Sequence, residues 1–321
     1  MATELAGIGT GLGIVEFANM VGRDPDELPA ACVATILQSE LEYDVLTGRQ
    51  REARLLEALR GSDRNGMPPS GPGRAIDWER GWSENLRDFE ARGYAPETLI
   101  PRYNKYDVLR YRGDYVRVAD RGFEYSVYTA LRHYCFARWF ADCDAVTEFG
   151  CGTGTSLLLL AETMPQLRLC GCDWAPSSQE ILHKLGERLG ISIAARRFDM
   201  FQPDPALELG PGAGVFTSAA MEQLGCDHGA FVDFLLARRP RICVHIEPIY
   251  ELYDGDDLFD EVARRYHLHR NYLRGFLPRL RELADRGDIE LLEARRSGLG
   301  SFFHEGYSIV VWRPAARGSG R

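Results

Sequence analysis

Apolar and polar positions follow different periods in the two halves of the chain. Up to residue 140, apolar side chains recur at three- and four-residue steps, for example over residues 31–46 and 49–59, which indicates helices. From residue 145 onward, short apolar runs alternate with helical segments, a pattern typical of a doubly wound α/β sheet. The pattern therefore predicts a helical region over residues 1–140, with helices over residues 1–60 apart from one glycine-rich segment, and an α/β domain over residues 141–321.

The N-terminal region contains two segments that interrupt the helical pattern. Residues 7–13 hold four glycines but follow no strand, which favours a flexible start or a turn. Residues 61–74 have the composition of a loop, which is either a linker or a lid over a site. The sequence also leaves open whether the surrounding helices form a bundle or the interface of a homodimer.

Aromatic residues are concentrated in residues 75–140. Trp78 and Trp82 are four residues apart, so we expect them on one face of a helix. The tyrosines that follow are mixed with arginines, which suits either packing on the next domain or a cap that binds a polar, anionic or sugar-like substrate. The candidate substrate residues of this cap are Tyr103, Tyr106, Arg110 and Tyr115.

Composition and charge narrow the class of partner. The 321 residues are 45% hydrophobic and 26% charged, as in globular proteins. A net charge of −9 argues against a broad nucleic-acid-binding surface. No apolar run approaches the roughly 20 residues of a membrane-spanning helix, and the N-terminus lacks the basic segment of a signal peptide. We therefore expect a cytoplasmic protein that acts on a small molecule, not on nucleic acid or a membrane.

Residues 145–161, AVTEFGCGTGTSLLLLA, carry the clearest motif. A short apolar run containing Glu148 is followed by Gly150, Gly152 and Gly154 and then by a helical run. Strand, glycine turn and helix form the context in which a glycine motif binds a nucleotide-like ligand. Glycines let the backbone approach the ligand, and the helix N-terminus offers free N–H groups. A dinucleotide motif, G-x-G-x-x-G, would require glycine where the chain has Thr155.

The sequence EFGCGTG, from Glu148 to Gly154, resembles motif I, E/D-x-G-x-G-x-G, of the class I S-adenosylmethionine (SAM)-dependent methyltransferases. The resemblance covers the chain from about residue 141. It implies a Rossmann-like, mostly parallel seven-stranded sheet, and residues 289–296 and 307–313 resemble its closing hairpin, in which the last strand is antiparallel. It also implies that SAM is the cofactor and S-adenosylhomocysteine (SAH) the product. The loop residues that it assigns to the cofactor are Glu148, Gly150, Gly152 and Gly154.

Residues at later strand ends extend the resemblance. Asp173 ends the second strand about 20 residues after the glycine loop, where an acid usually binds a ribose. Trp174 is expected to pack either on the adenine or in the core. Asp199, after the third strand, resembles the group that hydrogen-bonds the adenine amino nitrogen, with Met200 supplying a backbone N–H; a helix cap by Asp199 is the alternative. Ser218, at the end of the fourth strand, is assigned to the cofactor site.

Candidate acid–base residues follow the fourth and fifth strands. In the resembling family the exit from the fourth strand lies beside the methyl group, so Glu222, Gln223 and His228 are expected to face the substrate, although a structural Glu222 fits equally well. His245 and Glu247 point the same way on the fifth strand. At the carboxyl rim of a parallel sheet such a pair can act as an acid–base unit. The alternative is a buried histidine whose hydrogen bonds are satisfied.

The remaining candidates lie near the C-terminus, and none of them indicates a metal. Tyr250 follows the fifth strand and is assigned to the substrate site. His304, between the last two strands, either lines the mouth of that site or shapes the turn. Cys170-Gly-Cys172 and His267-Leu-His269 lack a second set of ligands nearby, so we expect no metal site.

The activity that these features favour is methyl transfer from SAM to a small polar metabolite or a sugar unit, at oxygen or nitrogen. Sugar or natural-product biosynthesis would supply such acceptors. The methyl group is already activated, so the protein mainly aligns the acceptor with it. A base is needed only where the acceptor must lose a proton. Two alternatives remain open: a SAM-binding protein that transfers no methyl group, and an NAD-dependent oxidoreductase, against which Thr155 argues.

Overall fold

The N-terminal region contains an antiparallel sheet as well as helices. The computed structural model describes residues 10–64, 68–101 and 106–316. Its first elements are β1 (Thr10–Gly11), α1 (Ile14–Val21), α2 (Ala30–Gln38), β2 (Glu42–Val45), α3 (Gly48–Arg64), α4 (Ala75–Ala91), β3 (Val108–Tyr111), β4 (Asp114–Val118) and α5 (Phe123–Trp139). The prediction that residues 1–60 are helical is therefore wrong at β2, and β1 is a short strand where a flexible start or a turn was predicted. The prediction of a loop over residues 61–74 is also wrong in its first part, because α3 extends to Arg64.

A tight hairpin joins β3 to β4, and it explains the unexpected sheet. Arg112 and Gly113 both have positive φ angles, 51° and 82°, as a two-residue type I′ turn requires. The hairpin offers β4 as a partner to β2, where Tyr43 pairs with Val118. Tyr43 also packs edge-on against Tyr111, with ring centres 5.3 Å apart. Because this partner is distant in sequence, local helical spacing did not reveal the strand.

The second half of the chain forms the predicted parallel sheet. Its elements are β5 (Ala145–Phe149), α6 (Thr155–Thr163), β6 (Arg168–Asp173), α7 (Pro176–Leu189), β7 (Ile193–Arg197), β8 (Ala213–Ser218), α8 (Gly229–Arg238), β9 (Ile242–Glu247), α9 (Leu258–Arg270), α10 (Phe276–Asp285), β10 (Ile289–Arg295), β11 (Leu299–Gly300) and β12 (Ser308–Pro314). Seven strands lie in the order β10-β12-β9-β8-β5-β6-β7. Strands β5 to β9 are parallel, and β12 is antiparallel to both of its neighbours. The predicted fold class is confirmed.

The two sheets share the C-terminal part of the chain. Strand β11 pairs with β3 and completes a five-stranded sheet in the order β1-β2-β4-β3-β11. The loop between β10 and β12 therefore fastens the N-terminal sheet to the parallel sheet. Across the described ranges, no helix combines the length and the apolar character that crossing a membrane requires.

Alternate residues of the central strands enter two different layers. On β9, Val244 and Ile246 pack in the layer that also holds residues of α5, α6 and α7. Cys243 packs in the opposite layer with α8 and α10. His245 shares that second face, and its ring centre lies 5.2 Å from that of Phe276 on α10. This alternation decides which side chains of the sheet can reach open space at its edge.

Candidate active site

The glycine loop between β5 and α6 leaves no room for a side chain at any of its three glycines. Gly150, Gly152 and Gly154 have φ angles of 72°, 51° and 77°, a conformation that favours glycine. A Cβ atom on Gly152 would lie 2.9 Å from the Trp82 ring, and one on Gly150 would meet Ala220. The sequence therefore places glycine where the backbone turns sharply and where neighbouring segments lie close to it.

Asp173, at the end of β6, braces this loop. Its Oδ2 accepts a hydrogen bond from the Gly152 N–H at 2.9 Å, and its Oδ1 accepts one from the Ala175 N–H at 2.9 Å. Burial raises the pKa of the carboxyl group to about 6, while the backbone N–H donors act in the opposite direction. The acid is thus buried at the point where the loop meets the next helix.

A first cavity, with about 490 Å³ of unfilled space, opens beside Asp173. The Trp174 and Phe201 rings stack across part of its wall, with centres 6.1 Å apart. Asp199 accepts the Phe201 N–H at 2.8 Å and so shapes the turn after β7. The residues that line the first cavity are Trp78, Trp82, Gly150, Asp173, Trp174, Phe198, Asp199, Met200, Phe201, Ala219, Ala220, Gln223 and Leu224.

A second cavity surrounds the glycine loop on its other side. Glu148 lies in its wall with its Oε2 buried and without a hydrogen-bond partner among the described residues. Burial raises the pKa of Glu148 to about 8. Ser218 is hydrogen-bonded to the Tyr128 hydroxyl at 2.6 Å. The residues that line the second cavity are Trp78, Trp82, Pro101, Tyr125, Tyr128, Glu148, Gly150, Cys151, Gly152, Thr153, Thr155, Ser156, Ser218, Ala219 and Tyr307.

A third cavity lies between the parallel sheet and the loop that precedes β12. Three of the predicted residues face it: Tyr106, Glu222 and His304. Burial raises the pKa of Glu222 to about 8, and burial lowers that of His304 to about 3. The residues that line the third cavity are Arg74, Trp78, Tyr106, Glu124, Ala219, Glu222, Tyr266, Arg270, Tyr272, Ser301, His304, Gly306 and Tyr307.

The three cavities meet at the exit from β8. Ala219 and Trp78 line all three, and Tyr307 lines the second and the third. Ala219 has a φ angle of 48°, which is uncommon for a residue with a Cβ atom and marks a strained turn. A group in the third cavity can therefore lie next to a group bound at the glycine loop.

Helix α4 covers this junction. Trp78 and Trp82 have ring centres 5.3 Å apart and both face the cavities, as their four-residue spacing predicts. The Glu79 carboxylate accepts hydrogen bonds from the Ser177 N–H at 3.1 Å and the Ser177 hydroxyl at 2.8 Å. This contact fixes α4 on the N-terminus of α7, where an acid is favourable.

The predicted His245–Glu247 pair lies inside the protein and lines none of these cavities. The two ring nitrogens of His245 are engaged by the Thr217 hydroxyl at 2.8 Å and by the Trp312 indole N–H at 2.9 Å. Burial lowers the pKa of His245 to about 3. Glu247 accepts N–H groups of Ala220 and Met221, each at 3.1 Å. This histidine matches the alternative interpretation of a satisfied, buried ring, and the carboxylate holds the turn after β8.

Four other predicted residues also lie away from the cavity walls. His228 precedes α8, and its Nε2 lies 3.0 Å from the carbonyl oxygen of Arg274. Arg110 is fully buried in the antiparallel sheet and donates to the carbonyl oxygen of Phe259 at 2.7 Å. Tyr115 packs against Phe259, with ring centres 4.8 Å apart. Tyr250 lies beneath the guanidinium group of Arg264. Tyr103 lies outside the described residues.

Several cavity residues were missed in the sequence. Glu124 and Tyr128 are four residues apart on α5 and line the third and the second cavity. Arg132, four residues further along, lies 4.2 Å from the centre of the Tyr128 ring. Their spacing could have been used to predict the site. A helix that packs against the central sheet normally presents an apolar face, so polar residues repeated on one face indicate a cavity there. Tyr307 donates to Glu124 at 2.9 Å across the cavity wall. Arg270 and Tyr272 had no comparable signal, since the end of α9 brings them to the cavity.

Metal-binding geometry is absent from the described parts of the chain, where no three histidine, cysteine, aspartate or glutamate side chains are arranged to hold an ion. Cys172 is buried, and Cys170 is its half-buried neighbour on β6.

Comparisons with known proteins give similarity of fold. No protein-family model matches the sequence, and no curated protein sequence matches it. The [4+2]-cyclase SpnF is similar in structure at 12% identity, with a TM-score of 0.51 over 79% of this chain and 100% of that chain. Human N-acetylserotonin methyltransferase, solved with SAM, gives 14% identity and a TM-score of 0.47 over 83% and 67% of the two chains. A geranyl diphosphate C-methyltransferase from Streptomyces coelicolor A3(2) gives 11% and 0.43 over 61% and 85%.

Proposed function

We propose that the protein binds SAM across the first and second cavities and transfers its methyl group to a small polar acceptor in the third. The observation that carries this proposal is the junction at Ala219 and Trp78, where all three cavities meet beside the glycine loop. Ligands of open parallel sheets bind at the carboxyl ends of the strands, which is where this junction lies. Such an arrangement places a cofactor and an acceptor side by side.

The residues present fit this cofactor. Asp173 would hold the ribose hydroxyls, and Asp199, Met200 and Trp174 would surround the adenine in the first cavity. The buried Glu148 Oε2 has no hydrogen-bond partner among the described residues, and it would accept a hydrogen bond from the α-amino group. The glycine loop supplies the close backbone approach that a Cβ atom would prevent. Bound SAM supplies an electrophilic methyl group.

Glu222 is the base that the geometry favours. It lies in the turn that follows Ala219 and lines the third cavity, whereas His228, His245 and Glu247 do not line it. A carboxyl group with a pKa of about 8 can exchange a proton near neutral pH. Gln223 lies next to it, faces the first cavity and donates its amide N–H to Glu222 at 3.0 Å. The acceptor is a small polar metabolite or a sugar unit, as in natural-product or sugar biosynthesis.

A second candidate is a protein that binds SAM without transferring its methyl group. The glycine loop and Asp173 support cofactor binding alone, and SpnF, which is similar in fold, is named for a cyclisation. Label transfer from SAM to acceptors distinguishes this candidate from the methyltransferase. The nicotinamide-dependent oxidoreductase is the weakest candidate, because Thr155 stands at the position of the third glycine of a dinucleotide motif.

Calorimetric titration with SAH and, separately, with NAD tests the proposal. We expect the protein to bind SAH and not NAD. Asp173→Ala should weaken SAH binding roughly 100-fold, because the ribose hydroxyls would lose their two hydrogen bonds to the buried carboxylate. Asp173→Asn keeps an acceptor for the Gly152 N–H and so separates loss of the ribose contact from collapse of the loop. Asp233→Ala, at an exposed position on α8, is the control. Binding of NAD in place of SAH would refute the assignment.

A further inference from the structure

The third cavity combines aromatic walls with buried acids. Five tryptophan and tyrosine rings line it, from Trp78, Tyr106, Tyr266, Tyr272 and Tyr307, beside the imidazole of His304. Two carboxyl groups, those of Glu124 and Glu222, face it from α5 and from the turn after β8. Both acids are at least nine-tenths buried, with 4% and 9% of their surfaces exposed. Burying two carboxyl groups is costly unless each has a hydrogen-bond partner or an opposite charge nearby.

Neither acid has an ion-pair partner among the described residues. Glu124 accepts the Tyr307 hydroxyl at 2.9 Å, and Glu222 accepts the Gln223 amide at 3.0 Å. Burial therefore raises the pKa of Glu124 to about 7, and burial together with the Glu247 charge raises that of Glu222 to about 8. A cation bound between such groups and the aromatic faces would favour their ionised forms.

The two arginines that line the same cavity are already engaged. Arg270 donates to the carbonyl oxygen of Pro68 at 2.6 Å and to the Tyr272 hydroxyl at 3.5 Å. Arg74 donates to the same carbonyl oxygen at 3.3 Å and lies 3.2 Å from the Asp77 carboxylate. The Nε atoms of both arginines are buried and have no hydrogen-bond partner among the described residues. These side chains fasten the segment at Pro68. The charge of Arg270 also acts on Glu222 and lowers the pKa of that acid, against the larger effect of burial.

We propose that the acceptor is an amine, bound in the third cavity as an ammonium ion between the aromatic rings and the carboxylates of Glu124 and Glu222. This inference rests on the proposed function and names its substrate class. Ammonium groups are attracted to the faces of aromatic rings as well as to carboxylates. For a phenolate or a carboxylate, the same cavity holds two carboxyl groups that would repel it and two arginines that already donate to protein acceptors.

The reaction then follows from the positions of these groups. The ammonium ion gives one proton to the Glu222 carboxylate, which leaves a neutral amine with a lone pair. The lone pair forms a bond to the methyl carbon of SAM as the bond between sulfur and that carbon breaks. The products are a methylated ammonium ion and SAH, and the proton on Glu222 passes to water. Glu124 and the Tyr307 hydroxyl position the ammonium ion at the junction with the second cavity.

Two sets of matched probes test the inference. One set is tyramine, its alcohol analogue tyrosol and 4-hydroxyphenylacetate; the other is cyclohexylamine, cyclohexanol and cyclohexanecarboxylate. Each is titrated into protein saturated with SAH, and methyl transfer from labelled SAM is then measured for each. We expect the amines to bind at least about tenfold more tightly than the alcohols or the acids. Tighter binding of the acids, or no binding of either amine, would overturn the proposal.

Variants show whether the carboxylates carry the preference. Glu124→Gln and Glu222→Gln keep the shape of the side chain, and each should weaken amine binding roughly tenfold while SAH binding stays unchanged. Glu290→Gln, on β10 and paired with Arg313 on the surface, is the matched control. Unchanged amine affinity in both cavity variants would contradict the assignment. If SAH itself fails to bind the wild-type protein, the proposed function fails; if SAH binds and amines do not, only this inference fails.

Discussion

Glu222 and Glu247 are two buried acids at the ends of neighbouring strands, and they have opposite surroundings. Glu247 ends β9 and accepts backbone N–H groups of Ala220 and Met221, with no surface exposed. Glu222 lies in the turn beyond β8, lines the third cavity and has one side-chain amide donor. Burial raises the pKa of Glu247 to about 7 and that of Glu222 to about 8. Backbone N–H groups satisfy Glu247, whereas Glu222 is left available to a ligand.

The difference teaches that a strand end alone does not make a side chain accessible. Glu247 points from β9 into a space that the turn after β8 fills. Its partners satisfy it there, and in doing so they fix the turn that carries Glu222. The structural acid thus positions the acid that we propose to be catalytic. Three experiments sharpen or break this comparison.

Removing the Glu247 carboxyl group should have the largest effect, and the effect should be on stability. In Glu247→Ala two buried N–H groups lose their acceptor, so we expect the free energy of unfolding to fall by roughly 2–5 kcal/mol. Chemical denaturation measures this change. Glu247→Gln retains a side-chain oxygen acceptor and should lose less than half as much. An alanine variant as stable as the wild type would show that the turn does not depend on this acid.

Replacing Glu222 should instead affect the reaction. Under the proposed function, Glu222→Gln should lower methyl transfer about 100-fold, because the proton acceptor is lost while the shape of the cavity is kept. SAH affinity should change by less than about twofold, since the residue lies outside the cofactor cavities. Label-transfer kinetics and calorimetry measure the two quantities. Retention of full transfer activity would assign Glu222 a structural role like that of Glu247.

The contribution of Glu222 to the pH dependence of stability should be the smallest of the three effects. The folded pKa of Glu222, about 8, lies above the usual 4.5, so the folded state holds this proton more tightly than the unfolded state. The resulting stability is fully present below pH 4.5 and is lost as the pH rises through about 8.

We therefore expect Glu222→Gln to reduce the loss of stability between pH 5 and pH 8 by about 1–2 kcal/mol. Urea denaturation of the variant and the wild type across this range is the measurement. An identical pH profile for the two proteins would mean that Glu222 is already ionised in the free protein.

Local patterns predicted the parallel sheet well because its signals are contiguous in sequence. The apolar run of β5, the glycines at 150, 152 and 154 and the acid at Asp173 all lie within one strand–helix–strand unit. The antiparallel sheet was missed because β2 pairs with the distant β4, and because β11, near the other end of the chain, completes the sheet beside β3. Even so, the Arg112-Gly113 turn between two alternating segments was a hairpin signal in the sequence.

For the site, the spacing in the sequence predicted where each residue lies along a strand, but not which of the two layers its side chain enters. Asp173, Trp174 and Asp199 line a cavity because they follow strand ends. His245 was predicted to reach the rim, but α10 and the Trp312 indole cover its face of β9. Whether a strand residue is covered depends on elements distant in sequence, which its own spacing does not describe.

The central claim is that one cofactor spans the first and second cavities, and a crystal structure of the protein grown with saturating SAH tests it most directly. The account predicts adenine beside Trp174 and Asp199, the ribose at Asp173, and the amino group of SAH at Glu148. The third cavity should remain open to an acceptor at Ala219. SAH in the third cavity, or absent from the glycine loop at saturation, would contradict the account.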